Sequence, residues 1–136
     1  MKPDVLKMNW KEFEWTFDAH SNSIEELILH AEQVYAQFPM EALVITCGAQ
    51  GILAFTQTGF FHALPPSMQV VNAAGAGDAG SAALVWRLCQ GEAWSEALRW
   101  AAAVSAAVVL TEGTADLNYT DVLKILPNIT QKEILR

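Results

Sequence analysis

Cysteine, histidine and basic side chains are all scarce in this chain of 136 residues. The two cysteines, Cys47 and Cys89, lack metal-ligand spacing; this excludes a disulfide-stapled scaffold or a zinc site and predicts buried, reduced thiols. His20, His30 and His62 stand far apart, also without ligand spacing, so no catalytic or metal role is assigned to them. Eight Lys and Arg against fifteen Asp and Glu leave a formal net charge of −7, which argues against nucleic acid and anionic membrane surfaces as partners. An anionic substrate must then be held by local donors rather than by a global field. Uninterrupted apolar runs of membrane-spanning length are missing too: Arg87, Gln90, Glu92, Glu96 and Arg99 break the segments from Ala79 to Leu88 and from Ala93 to Leu110. The start of the chain has no basic region followed by an apolar core, so no signal peptide is read, and a cytoplasmic protein is expected. What remains is globular in composition, 52% hydrophobic and 17% charged, with room for one domain and one core.

The most telling stretch runs from Val70 to Gly80, where a short apolar run enters the turn Gly75-Ala76-Gly77-Asp78 and a long apolar segment leaves it. Glycines let backbone N–H groups converge, and a helix beginning there adds its positive dipole end, so the turn suits an anion. A carboxylate among such donors repels phosphate. Asp78 is therefore read as a base that takes a proton from a hydroxyl attacking a phosphate, with a metal sharing the charge. Two other nucleotide readings compete. A Walker A loop is excluded because neither Lys-Ser nor Lys-Thr follows the glycines. Gly75, Gly77 and Gly80 also satisfy G-x-G-x-x-G, but a dinucleotide site needs an acidic residue closing a second strand about 20 residues later. Glu92 and Glu96 fall in helical surroundings instead. The plain structural alternative makes Asp78 an ordinary first-turn acid.

Along the chain, strands and helices alternate. Strands are expected at Asp4 to Met8, Ala42 to Cys47, Ile52 to Thr56, Phe60 to Leu64 and Gln69 to Val71, with Gln57, Thr58 and Gly59 turning a hairpin. Ser23 caps a helix to Phe38, whose apolar face is Ile24, Leu27, Ile28, Ala31, Val34 and Tyr35, and Pro39 ends it. Further helices span about Ala76 to Gln90, Ser95 to Leu110 and Asp121 to Leu126, with Gly91 terminating the first. The small residues Ala97, Ala101, Ala102, Ala103, Ser105, Ala106 and Ala107 indicate close helix packing. The tryptophans are read mainly as packing residues.

The sequence GAGD ahead of an apolar helix resembles the C-terminal signature of ribokinase-like (PfkB) sugar kinases, and other family landmarks occur in order. Lys7-Met8-Asn9-Trp10-Lys11-Glu12 resembles K-P-N-x-x-E, with Met8 where proline is usual. Thr46-Cys47-Gly48-Ala49-Gln50-Gly51 resembles T-x-G-x-x-G, and Leu110-Thr111-Glu112-Gly113 resembles a glycine loop near the adenine pocket. Val71-Asn72 before the turn, and the tail from Leu110 to Ile129, are most similar to the branch of 1-phosphofructokinase and tagatose-6-phosphate kinase.

That resemblance implies an α/β three-layer ribokinase-like sandwich of which residues 1–136 are only the C-terminal, nucleotide-binding portion, the sugar-binding half and lid being absent. It implies transfer of phosphate from ATP, with magnesium, to a hydroxyl of a sugar phosphate. Asp78 is then the base, and the N–H groups around Gly75, Ala76 and Gly77 are the anion hole. Glu12 with Asn9 holds magnesium through water, and Thr46, Gly48, Gly51 and Gly113 line the nucleotide. Asn72 stands where the wider family has an aspartate that helps form a monovalent-cation site. Without the sugar-binding half, the chain is expected to be inactive alone and to self-associate or join a partner; the alternatives are a nucleotide-binding remnant or an assembly module without turnover.

Overall fold

A computed structural model of the chain describes residues 4–67, 76–110 and 118–134. Its elements are β1 (Val5–Asn9), α1 (Trp10–Phe17), α2 (Ile24–Gln37), β2 (Ala42–Thr46), β3 (Ile52–Thr56), β4 (Gly59–Leu64), α3 (Ala76–Cys89), α4 (Trp94–Val108), α5 (Tyr119–Ile125) and β5 (Thr130–Ile134). Single 3-10 turns occupy Gly48–Gln50 and Leu126–Asn128. The strands form one sheet in the order β1-β2-β3-β4-β5, with β1 parallel and β3 antiparallel to β2. The chain divides into two compact units, changing over between His62 and Ala63 and again between Lys132 and Glu133.

In the first unit, strand alternation sorts the side chains. Leu43 and Ile45 of β2 stand opposite Phe55 and Leu53 of β3, and Met8 of β1 is in register with Ile45. All five are buried in one cluster with Phe13 of α1 and with Leu27, Ala31 and Val34 of α2. Burying one such aliphatic or aromatic side chain contributes about 1.5 to 3 kcal/mol, so this cluster dominates the stability of the unit. Ala42, Val44, Ala54 and Thr56 alternate with these residues and are buried as well. That explains why β2 reads as a continuous apolar run rather than as an alternating one.

Helix α2 begins and ends where its sequence directs. The Ser23 hydroxyl accepts from the Glu26 N–H at 3.2 Å, Glu25 and Glu26 occupy the first turn, and Phe38 caps the end just ahead of Pro39. The β3–β4 hairpin is one residue tighter than expected, because Gly59 already belongs to β4. Thr56 organises that turn: its Oγ1 donates to the Gly59 carbonyl at 2.8 Å and accepts from the N–H groups of Thr58 and Gly59.

The second unit is built on the helix pair α3 and α4. Ala97, Ala101, Ala102, Ala103, Ala106 and Ala107 are buried, as close packing requires. At Gly80 the two helices meet so closely that a Cβ there would lie 2.1 Å from Ser105 Oγ. Arg87 lies over the rings of both Trp86 and Trp100 and pairs with Glu92.

Four expectations change. Helix α1 and strand β5 were not anticipated. Cys89 is exposed, so only Cys47 is a buried thiol. Trp15, with 88% of its surface exposed, is neither core nor packing, whereas Trp86, about half exposed, packs edge-on against Trp100. The strand expected at Gln69 to Val71 lies outside the described residues.

Candidate functional site

The junction of β1 and α1 is a capping box. Asn9 Oδ1 accepts from the Glu12 N–H at 2.7 Å, and Glu12 Oε1 accepts from the Asn9 N–H at 2.8 Å. Two backbone donors at the helix start are thereby satisfied reciprocally. The box occupies one oxygen of each side chain, leaving the Asn9 amide nitrogen and Glu12 Oε2 outside it. Glu12 is exposed.

Beside this junction lies the end of β2, since Asn9 and Thr46 are register partners across the parallel pair. The turn that follows is tied by three backbone bonds: Cys47 N–H to the Gly51 carbonyl at 2.7 Å, Gln50 N–H to Cys47 and Gly51 N–H to Gly48. Gly48 has φ +57 and Gly51 φ +89, a region costly for residues with a Cβ. At Gly48 an added Cβ would meet nothing within 4 Å, so glycine serves the backbone angle there and the turn faces open space.

These two junctions border a shallow, open cleft of about 380 Å³ at the carboxyl ends of β1 and β2. Asn9, Trp10, Lys11, Thr46, Cys47 and Gly48 line it from the strand ends, and Glu14 and Ser21 from the side of the α1–α2 connection. Glu14 Oε2 accepts from the Ser21 N–H at 2.7 Å and pairs with His20 Nδ1 at 2.9 Å, while Ser21 Oγ contacts His30 Nδ1 at 2.8 Å. Burial pushes the Cys47 thiol up to about 12, so it is a packing group of the cleft floor and not a nucleophile. Carboxyl ends of parallel strands are where open α/β sheets take ligands.

The volume and the mix of apolar and polar lining suit part of a nucleotide. Among the described residues no three acidic, histidine or cysteine side chains gather as a metal cage. Glu12 is exposed beside the cleft and is not among the residues lining it; a carboxylate so placed, with Oε2 outside the box, suits an ion such as magnesium that keeps several of its waters.

The remaining predicted residues belong to the second unit. Ala76, Gly77 and Asp78 open α3, with Asp78 exposed in its first turn. Ser81 Oγ donates to the Gly77 carbonyl at 2.8 Å, and Ser105 Oγ of α4 donates to the Ala76 carbonyl at 3.0 Å. Gly75, Asn72 and Gly113 lie outside the described residues. Trp10, read from the sequence as lying beside the ligand motif, lines the cleft; Lys11, Glu14 and Ser21 were missed as cleft residues. Glu14 follows from recognising N-x-x-E as a helix start, because Trp10 and Glu14 are then one turn apart; Ser21 comes from a connection that carries no local signal.

The pattern described as pfkB family carbohydrate kinase matches residues 1–121. The chain belongs to this family. It is 35% identical over 135 residues to 1-phosphofructokinase of Haemophilus influenzae, covering 97% of this chain and 43% of that protein. To D-beta-D-heptose 7-phosphate kinase of Bordetella bronchiseptica it is 34% identical over 91 residues, covering 67% of this chain and 29% of that one. The crystal structure of phosphofructokinase-2 from Escherichia coli in complex with potassium superposes with a TM-score of 0.83 at 22% identity, over 92% of this chain and 40% of that one. Ribokinase from Arabidopsis thaliana, complexed with ribose and ATP, gives a TM-score of 0.79 at 27% identity, over 90% and 40%. The chain thus spans less than half the length of these relatives.

The expected α/β ribokinase-like architecture is met, for a part of that fold. The dinucleotide alternative fails on topology. After α3 comes α4 rather than a strand, with Glu92 in the connection paired to Arg87 and Glu96 on α4 paired to Arg99.

Proposed function

We propose that this pfkB-family chain carries the ATP site and catalytic base of a sugar kinase that phosphorylates a hydroxyl of a sugar phosphate, in the manner of 1-phosphofructokinase. The observation that carries the reading is the cleft itself: Asn9 of one family motif and Thr46 and Gly48 of another, 37 residues or more away, line the same space. Thr46, Gly48 and Gly51 hold the nucleotide along a turn whose positive-φ glycines set its backbone. Asn9 and Glu12 hold magnesium through its water shell, and the ion supplies positive charge against the phosphates. Asp78 accepts the proton of the attacking hydroxyl. The N–H groups of Gly75, Ala76 and Gly77, at the positive end of α3, receive the charge that develops on the transferred group. Phosphoryl transfer depends mainly on positioning and electrostatics, which is what these groups provide.

The finer identity of the sugar phosphate, the cytoplasmic setting and partnership with a second chain or copy are parts of this proposal. A second reading is a module that binds nucleotide without turnover. A thermal-shift panel with ATP, ADP and NAD, run beside a coupled ADP-release assay with MgATP and fructose 1-phosphate, separates the readings. Stabilisation by ATP and ADP but not by NAD supports the nucleotide site. Release of ADP that requires the sugar phosphate supports the kinase, and ATP binding without release supports the module. Stabilisation by none of the three nucleotides overturns both.

A further inference from the structure

We propose that Ser105 is a positioning residue for the anion-binding turn, acting through the Ala76 carbonyl on the N–H of Gly77. The inference rests on the phosphoryl-transfer reading above and deepens it. A trans peptide is planar, so the Ala76 carbonyl and the Gly77 N–H are opposite ends of one rigid group. Ser105 Oγ donates to that carbonyl at 3.0 Å from 29 residues further along the chain. Fixing the oxygen fixes the direction of the N–H, and accepting a hydrogen bond at the carbonyl polarises the peptide and strengthens its donor end.

The neighbouring peptide is treated alike, since Ser81 Oγ donates to the Gly77 carbonyl at 2.8 Å and so holds the N–H of Asp78. That second contact is the local bond that serines in helices commonly make four residues back. The Ser105 contact is not local, and it exists only because residue 80 is glycine. A Cβ at Gly80 would stand 2.1 Å from Ser105 Oγ and 3.2 Å from the Ala101 carbonyl.

Packing alone does not ask for this pair. The buried side of α4 around Ser105 is otherwise apolar, with Ala101, Ala102 and Ala106 and the valines Val104 and Val108. An alanine at each of the two positions would give helix contact without the conformational cost of glycine inside a helix. The hydroxyl and the missing side chain make sense together as a tether on the Ala76–Gly77 peptide.

The test uses the uniformly ¹⁵N-labelled chain with Ser105→Ala, Ser105→Thr and Gly80→Ala. In Ser105→Ala the Gly77 amide proton is expected to move upfield, by more than any other amide of the first turn of α3. In an active form kcat is expected to fall about two- to tenfold, the worth of one hydrogen bond, with MgATP affinity retained, because this N–H meets charge that develops only during transfer. Ser105→Thr keeps the hydroxyl and should restore both, and Gly80→Ala, which displaces the hydroxyl, should reproduce the alanine phenotype by another route. A Gly77 amide that is unmoved in Ser105→Ala overturns the inference, as does an unchanged kcat while the amide moves. A wild-type chain that binds no ATP removes the kinase reading, and the Gly77 shift then still decides whether Ser105 sets this peptide.

Discussion

Substituting Gly80 by alanine should change sign with the residue at position 105. Alanine inside a helix is normally favoured over glycine by about 1 kcal/mol. Here the new Cβ would fall 2.1 Å from Ser105 Oγ, inside any allowed contact, and 3.2 Å from the Ala101 carbonyl. The hydroxyl escapes by rotating about χ1, which forfeits its bond to Ala76, worth about 1 kcal/mol, and leaves it half-buried between the helices, where an unmet donor costs about 1 to 3 kcal/mol. Gly80→Ala is therefore expected to destabilise the wild-type chain by about 1 to 2 kcal/mol. With Ser105→Ala already present the severe clash is gone, and only the adjustment at the Ala101 carbonyl offsets the gain in helix propensity. The same substitution should then be neutral or stabilising by up to about 1 kcal/mol. Urea unfolding of the four variants, followed by far-UV circular dichroism, closes the cycle, with a coupling of about 2 kcal/mol expected for residues in direct contact. Equal effects of Gly80→Ala in both backgrounds, or a stabilised single mutant, would refute the packing described for α3 and α4.

The remaining predictions concern the site. Asn9→Ala removes the capping box and should cost about 1 kcal/mol in unfolding free energy, whereas Glu12→Gln keeps an acceptor for the Asn9 N–H and should leave stability nearly unchanged. In the active kinase that same Glu12→Gln should raise the magnesium concentration needed for half-maximal rate; a mutant with a wild-type requirement removes Glu12 from the metal site. Asp78→Asn in an active form should lower kcat by about 10² to 10⁴ with nucleotide affinity retained, since a base acts only in the reaction. Near-normal turnover would assign Asp78 to the helix dipole alone. Iodoacetamide at neutral pH should label exposed Cys89 and spare Cys47, as peptide mapping will report. Burial raises the Cys47 thiol from an ordinary 9.0 to about 12, so the folded state holds that proton more tightly than the unfolded one. Its contribution is complete below about pH 9 and is lost as pH climbs toward about 12. Cys47→Ala should flatten the stability profile in that window, and a profile identical to wild type would show that the thiol is not what titrates there.

How far the letters could be read depended on where the organising force lies. Helix α2 and strands β2 and β3 were legible because their side-chain period, caps and flanking Pro39 and Gly51 all agree. The helix pair announced itself through alanine and Gly91. Strand β5, Thr-Gln-Lys-Glu-Ile, offered no apolar alternation; its place is set by pairing in the sheet, which is a tertiary fact. The exposed Trp15 defeats the assumption that large aromatics seek the core: it faces outward on a short helix whose buried stripe is already filled by Phe13. In the candidate site, each motif could be found by spacing, yet the joining of Asn9 to Thr46 is a matter of parallel register between β1 and β2.

The stretch from Met8 to Glu12 shows why structural and functional readings of one motif need not compete. Met8, at the position where the motif it resembles carries proline, packs its side chain into the cluster around Ile45. One residue later the capping box fixes Asn9 at the helix start through bonds of 2.7 and 2.8 Å. A side chain that must hold a ligand gains from being held itself, because orientation fixed during folding is not lost again on binding. The box therefore stabilises α1 and at the same time presents the unused amide nitrogen of Asn9 and the unused oxygen of Glu12 in fixed directions. On this account Asn9→Asp, which keeps the cap, should preserve stability while adding a negative charge to those of Glu12 and Glu14 at the cleft. It should weaken ATP binding in proportion to that charge, with the loss reduced as ionic strength rises. An affinity that falls equally at low and high salt would show that Asn9 serves the fold alone.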